Sequence, residues 1–201
     1  MAINLANNNS LANITALPSS ISGGAMTLLA TQTASGSANL SFTSGIDDTY
    51  DKYVFKFYNI HPATDGVTFE FQGSTNGGST YGVTITSSVF QAYHQENDAG
   101  AGIQYATNND LAQSTSFQKI TGDLGNQNDE CGSGIVQLFN PSSTTFVKHF
   151  ITRENGQQNN EQSVNVFAAG YFNTTSAINA VQFKMSSGNI DSGVIKLYGV
   201  S

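Results

Sequence analysis

Apolar and polar residues alternate with a period of two along most of this chain. Tyr53, Phe55 and Phe57 share one face of a segment, and Val67, Phe69 and Phe71 share one face of the next. Near the end, Val181, Phe183 and Met185 oppose Gln182 and Lys184, and Ile195 and Leu197 flank Lys196. This period marks half-buried strands. It predicts strands at Met26–Thr33, Ala38–Thr43, Lys52–Ile60, Val67–Gln72, Tyr81–Thr86 and Val89–Tyr93. After an interruption it predicts Gly134–Phe139, Thr145–Thr152, Ser163–Ala169, Ala180–Met185 and Val194–Tyr198, the last expected to close the fold. Asp65-Gly66, Asn76-Gly77-Gly78 and Gly188-Asn189 carry turn chemistry between them. A helical period is missing, apart from a weak helical segment at Asn108–Gln118 that Asp110 would cap. The expected fold is all-β: an antiparallel β-sandwich, jelly-roll-like, with an immunoglobulin-type sandwich as the alternative.

Two stretches depart from the alternation. Residues 1–25 are rich in Asn, Ser and Ala, with Ile3, Leu5, Leu11, Ile14, Leu17 and Ile21 irregularly spaced. Pro18 and Gly23-Gly24 break any helix there. Such a segment buries too little of itself to order alone. The alternatives are a disordered tail and an extended arm that orders on a neighbouring subunit; the scattered Ile and Leu residues favour the arm, because solvated tails rarely keep apolar residues. The division is then an arm at 1–25 and a sandwich domain at 26–201. The second departure, 94–132, is a long loop-like region bearing His94, Glu96, Asp98, Asp110, Asp123, Asp129 and Glu130. Long loops on a rigid sandwich are where binding tends to sit.

Composition narrows the classes. The chain has 201 residues, enough to bury roughly 70% of its unfolded surface without staples. Charged residues are 10% of the total, against roughly 25% in ordinary soluble domains. Asn, Ser, Thr and Gln supply the polar face instead, which suits a surface partly covered by neighbours. Net charge is −7, and seven scattered basic residues make no phosphate-tracking stripe, so nucleic acid is an unexpected partner. No apolar run nears the ~20 residues of a membrane span, and no membrane partner is expected. The N-terminus lacks the basic start and apolar core of a signal peptide. With one cysteine, Cys131, there is no intrachain disulfide, and synthesis in a bacterial cytoplasm is expected.

Candidate chemistry is thin. His61, His94 and His149 have no metal-ligand spacing to one another. Cys131 lies in Asp-Glu-Cys-Gly-Ser, an acidic setting that disfavours a thiolate nucleophile. Asp47, Asp48 and Asp51 cluster without the alternation of a calcium loop. No G-x-S-x-G elbow occurs. The expectation is no enzyme and no cofactor. Tyr81, Tyr93, Tyr105, Tyr171 and Phe172, at strand ends or in loops, are the better lead, because Tyr beside Asn, Gln and Asp makes protein-contact or sugar-stacking surfaces. Tyr93, His94, Tyr105 and Asp110 are the candidate partner or glycan contacts.

Several segments resemble small structural proteins of marine tailed bacteriophages, including cyanophages. They are Leu-Ala-Asn-Asn-Asn-Ser near the start, Phe-Thr-Ser-Gly-Ile-Asp-Asp-Thr-Tyr-Asp-Lys-Tyr-Val-Phe-Lys-Phe at 42–57 and Asn-Ile-His-Pro-Ala-Thr-Asp at 59–65. Asn-Pro-Ser-Ser-Thr-Thr-Phe-Val-Lys-His-Phe at 140–150 and Asn-Ile-Asp-Ser-Gly-Val-Ile-Lys-Leu-Tyr-Gly-Val at 189–200 continue the likeness. The resemblance implies a virion component and transfers no catalytic residue. The resemblance does not distinguish head from tail or fibre; the small single domain, the apolar-spotted arm and the Gln/Asn-rich surface make the expectation a head decoration (cement) protein on the particle exterior, a homo-oligomer such as a trimer, anchored by its arm on the major capsid protein or another virion protein. The alternative is a tail fibre or spike module that binds host surface glycan.

Overall fold

The computed structural model describes residues 26–201. The expected arm residues Ile3, Leu5, Leu11, Ile14, Leu17 and Ile21 lie outside the described residues. Twelve strands follow one another: β1 (Thr27–Ser37), β2 (Leu40–Phe42), β3 (Lys52–Pro62), β4 (Phe69–Ser74), β5 (Ile85–Gln95), β6 (Ala101–Tyr105), β7 (Gln118–Lys119), β8 (Gly132–Phe139), β9 (Lys148–Gln158), β10 (Gln162–Phe172), β11 (Ala180–Met185) and β12 (Ile190–Val200). They form an eight-stranded sheet, β1-β12-β3-β8-β9-β10-β5-β6, and a four-stranded sheet, β2-β11-β4-β7. Every pairing is antiparallel. The fold is the expected β-sandwich.

The strand order identifies the sandwich more closely. With β5, β6, β9 and β10 set aside, β1-β12-β3-β8 faces β2-β11-β4-β7, and the chain crosses from sheet to sheet at every step but the one from β4 to β7, which are neighbours in the small sheet. That is the order of a jelly roll. The four remaining strands are two inserted hairpins. They pair with each other through β10 and β5 and widen the large sheet beyond its partner.

Phenylalanines fill the space between the sheets. Phe55 and Phe183, both fully buried, meet edge-on at 5.2 Å, and Phe42 contacts each of them. Phe71 bridges to the widened part through Phe150 and Phe172. These rings were legible as strand faces because inward positions alternate with solvent-facing ones. Past the edge of the small sheet, a second cluster of Val89, Val164, Val166 and Ala168 lies on the inner face of the inserted strands. The segment from Ala106 to Gly125 crosses that face. Its backbone bonds to β5 through Ala106–Val89, Leu111–Ser87 and Ser114–Ile85, and Gly125 donates to Gln157.

This cover corrects three readings. Asn108–Gln118 is not helical: it is a run of turns tied to β5, ending in β7. The region 94–132 is not one free loop, since it holds β6 and β7 and seals the inserted strands. Tyr81–Thr86 and Val89–Tyr93 are not two strands. One strand, β5, runs through the polar Thr86-Ser87-Ser88, because the inward Ser87 hydroxyl accepts the Leu111 N–H at 2.9 Å. Likewise β9 starts at Lys148 instead of Thr145 and runs on to Gln158, with the polar Glu154 on the inner face hiding the alternation. Phe172 is buried in the core and is no surface aromatic.

Candidate functional site: the open face of the large sheet

Strand alternation gives the large sheet an inner face on the core and an outer face that no other element of the described residues covers. In register across the outer face stand Lys196 on β12, Lys56 on β3, Ile135 on β8, Arg153 on β9, Phe167 on β10, Phe90 on β5 and Tyr105 on β6. A neighbouring row runs Leu28, Tyr198, Val54, Gln137, Ile151, Ala169 and Ser88. Ile103 stands opposite Ala92. Six of the large apolar side chains left exposed lie here: Leu28, Tyr58, Phe90, Ile103 (80% exposed), Tyr105 and Ile151. Exposed apolar residues are ordinary singly, but a contiguous group marks a contact surface.

The rings are held in place. Phe90 stacks on Phe167 at 4.8 Å with their planes 5° apart. The Arg153 guanidinium lies 5.1 Å from the Phe167 centroid. Tyr105 donates its hydroxyl to Asp110 at 2.7 Å, and this bond pushes the phenol's pKa up. Next to them Phe139, His149, Ile151, Ala169 and Tyr171 border an open depression of about 560 Å³.

Charge is sorted onto this face. Lys52, Lys56, Arg153 and Lys196 are four of the chain's seven basic residues, and alternation points all four outward. The eight strands hold two acids, the inward Glu154 and Asp191 at the loop end of β12. The ion pairs among the described residues are Lys184–Glu70 and His94–Asp98, so none of the four outward cations has a carboxylate partner. Lys56 and Lys196 face each other directly, an unfavourable cross-strand pair. Each leans over a tyrosine: Lys56 Nζ lies 5.3 Å from the Tyr198 ring and Lys196 Nζ 5.8 Å from the Tyr58 ring. Such contacts are worth about 0.5–1 kcal/mol at exposed sites.

The residues singled out from sequence divide. Tyr105 and Asp110 form one hydrogen-bonded unit on the outer edge, and His94 on β5 pairs with Asp98 at 3.1 Å. Tyr93 points to the opposite face, packed on the inner valine cluster. Phe90, Phe167, Ile151, Ile103 and the four cations were not singled out. Apolar doublets could have marked three of the strands: Val89-Phe90, Phe150-Ile151 and Val166-Phe167 place one apolar side chain on each face.

The remaining reactive groups are otherwise engaged. His61 Nδ1 contacts the Glu130 carbonyl at 2.7 Å. Asp47 accepts from the Thr49 N–H and the Tyr53 hydroxyl, which hold its carboxyl below its usual range. Burial, then the nearby Glu154 carboxylate, pushes the Cys131 thiol up. No three His, Cys, Asp or Glu residues converge as metal ligands among the described residues. Comparison with protein-family models, curated proteins and solved structures returned no match.

Proposed function

We propose that this chain is a non-enzymatic structural protein of a bacteriophage particle, a decoration protein that attaches to the outside of the head and strengthens it. The observation that carries the reading is the outer face of the large sheet: contiguous exposed aromatic and aliphatic side chains interleaved with unpaired cations. Aromatic residues and arginine are enriched at protein interfaces. Two inserted hairpins widen the jelly roll and supply Phe90, Ile103, Tyr105, Arg153 and Phe167. The first 25 residues, uncharged in every side chain, suit a second contact with a neighbouring subunit in a homo-oligomer. The segments that resemble virion proteins support a phage particle as the setting. Many weak copies acting together would stabilise the assembled shell by linkage.

The test is immunogold labelling of intact particles with an antibody to the sandwich domain. Label over the head is the expected result. Label confined to tail or fibre tips refutes the head assignment. It would favour the second reading, a receptor-binding module, which the aromatic-bordered depression at His149 and Tyr171 supports as a surface for a sugar ring.

A further inference from the structure

We infer that the outer face of the large sheet docks on a carboxylate-bearing protein surface of the particle, with Lys56, Lys196, Arg153 and Lys52 as its electrostatic anchor. This rests on the particle reading and names the chemistry of the partner.

The argument begins with an asymmetry. The chain carries 14 acids and 7 bases, yet the widest face of the molecule collects four bases. Lys56 and Lys196 oppose each other across adjacent strands, with no acid of the chain to separate them. A partner carboxylate set between them relieves this repulsion and gains two charge-assisted contacts. Arg153, two strands further along the same row, is braced against the Phe167 ring and by Asn165 Oδ1, to which its Nε donates at 3.4 Å. A planar guanidinium fixed this way suits a bidentate carboxylate.

The other half of the face selects among acidic partners. Phe90, Ile103, Tyr105 and Ile151 are exposed by about half or more, and covering them takes apolar groups. A second copy meeting this face with its own would set cations against cations. The acidic loop end of a second copy bears Asp65, Glu96, Asp98, Asp123, Asp129 and Glu161, all exposed, but has no exposed large apolar residue to meet the rings. The segment 1–25 has apolar side chains and no acid, so it would leave the cations unmatched. An acidic polysaccharide would match the charges and leave Ile103 and Ile151 uncovered. A protein surface with carboxylates beside apolar residues matches both halves.

The experiment uses particles assembled without this protein, from phage carrying a stop codon in its gene, and adds the purified full-length chain. Copies bound per particle are counted. Wild type is expected to bind, and to be released as salt rises from ~0.1 M to ~1 M, where the Debye length shrinks from about 10 Å to about 3 Å. The variant Lys56→Glu/Arg153→Glu/Lys196→Glu is expected to bind at least roughly tenfold more weakly. Lys56→Arg/Lys196→Arg is expected to bind like wild type, and matching thermal melts of all three establish that they fold. Full binding by the reversal variant, or wild-type binding indifferent to salt, overturns the inference and leaves the particle reading standing. A reversal variant that loses self-association in free solution but still binds particles assigns the face to a second copy and overturns it too. Failure of wild type to bind any particle refutes the particle reading itself.

Discussion

Glu154→Gln should make this protein less sensitive to rising pH. Glu154 points inward from β9, almost wholly buried, and neither carboxylate oxygen has a hydrogen-bond partner among the described residues. Its surroundings are tight: a Cβ added at Gly156 would lie 2.3 Å from Oε1, and one at Gly132 would lie 2.9 Å from it. Burial pushes the pKa well above the ordinary value of 4.5, so the fold favours the neutral acid over the carboxylate. In the unfolded chain it ionises above about 4.5. Between those two values the unfolded state binds fewer protons than the native state, and stability falls as pH rises. The loss is about 1.4 kcal/mol per pH unit until the folded pKa is passed. A glutamine ionises in neither state, so its contribution is flat. Below pH ~4.5 the variant should be no more stable than wild type, and up to about 1–3 kcal/mol less, because its amide is also unpartnered. The difference should close and then reverse as pH rises. Glu70, also raised by burial but offset by Lys184, and Asp47, lowered by its hydrogen bonds, are common to both proteins and cancel in the comparison. Urea unfolding of both proteins at a series of pH values reads the effect directly. Parallel stability profiles would refute the reasoning, because they require Glu154 to have the same proton occupancy folded and unfolded.

Phe55→Ala should cost about 3–5 kcal/mol in urea unfolding, the usual range for a buried phenylalanine, since it removes a ring packed on Phe42 and Phe183; a loss below about 1 kcal/mol would mean that the register of β3 is wrong. Gly134→Ala should destabilise by at least about 1–3 kcal/mol, because the new methyl would lie 2.4 Å from the Arg153 carbonyl and 2.7 Å from the Phe57 ring; an unchanged melting temperature would contradict that packing. Tyr53→Phe should cost about 0.5–1.5 kcal/mol and return the Asp47 carboxyl towards its ordinary pKa, read by NMR titration, because the phenol donates to that carboxylate at 2.9 Å. Removal of residues 1–24 should leave a folded domain with a cooperative melt, since β1 begins at Thr27; loss of folding would make that segment part of the sandwich.

The two sheets were legible where an aromatic or aliphatic side chain marked every inward position, as in Tyr53-Val54-Phe55-Lys56-Phe57 and in Val181 to Met185. They were illegible where the inner face is polar. Ser87, Glu154 and Gly156 all point inward, and each broke an alternation that the backbone continues. β6 and β7 gave no signal because one lies on an open edge and the other is two residues long. The open face was harder still. Arg153, Phe167, Phe90 and Tyr105 come from four strands, and only the pairing register makes them neighbours. Tyr105 and Asp110 were within reach, being close in sequence. The sorting of four cations onto one side could not be seen before outward positions were fixed, and in sequence the seven bases look singly scattered.

The inserted hairpins change what a jelly roll can do with its large sheet. In an eight-stranded sandwich of two equal sheets, each outer face is only four strands wide, and outward residues need only be soluble. Here the large sheet is eight strands wide and the small sheet still four. At about 4.8 Å per strand the extra strands add roughly 19 Å of open face. Their inner side is closed by the Ala106–Gly125 segment, an expensive use of chain if the hairpins served only the core, because that side could have been omitted altogether. Their outer side carries the stacked Phe90 and Phe167, Arg153 and the exposed Ile103. Ile103 stands on the unpaired edge strand β6 beside this exposed apolar face, an arrangement that invites aggregation, so keeping it argues for a use that outweighs the hazard. The loop from Thr107 to Asp110 blunts the hazard at that edge: Asn108 and Asn109 accept from Lys119 and Gln118, and Asp110 holds Tyr105. Removing the tether should therefore expose the edge without unfolding the domain, and Tyr105→Phe should raise concentration-dependent association in sedimentation velocity with little change in melting temperature. Association unchanged in that variant would show that the Tyr105–Asp110 bond has no part in guarding the edge.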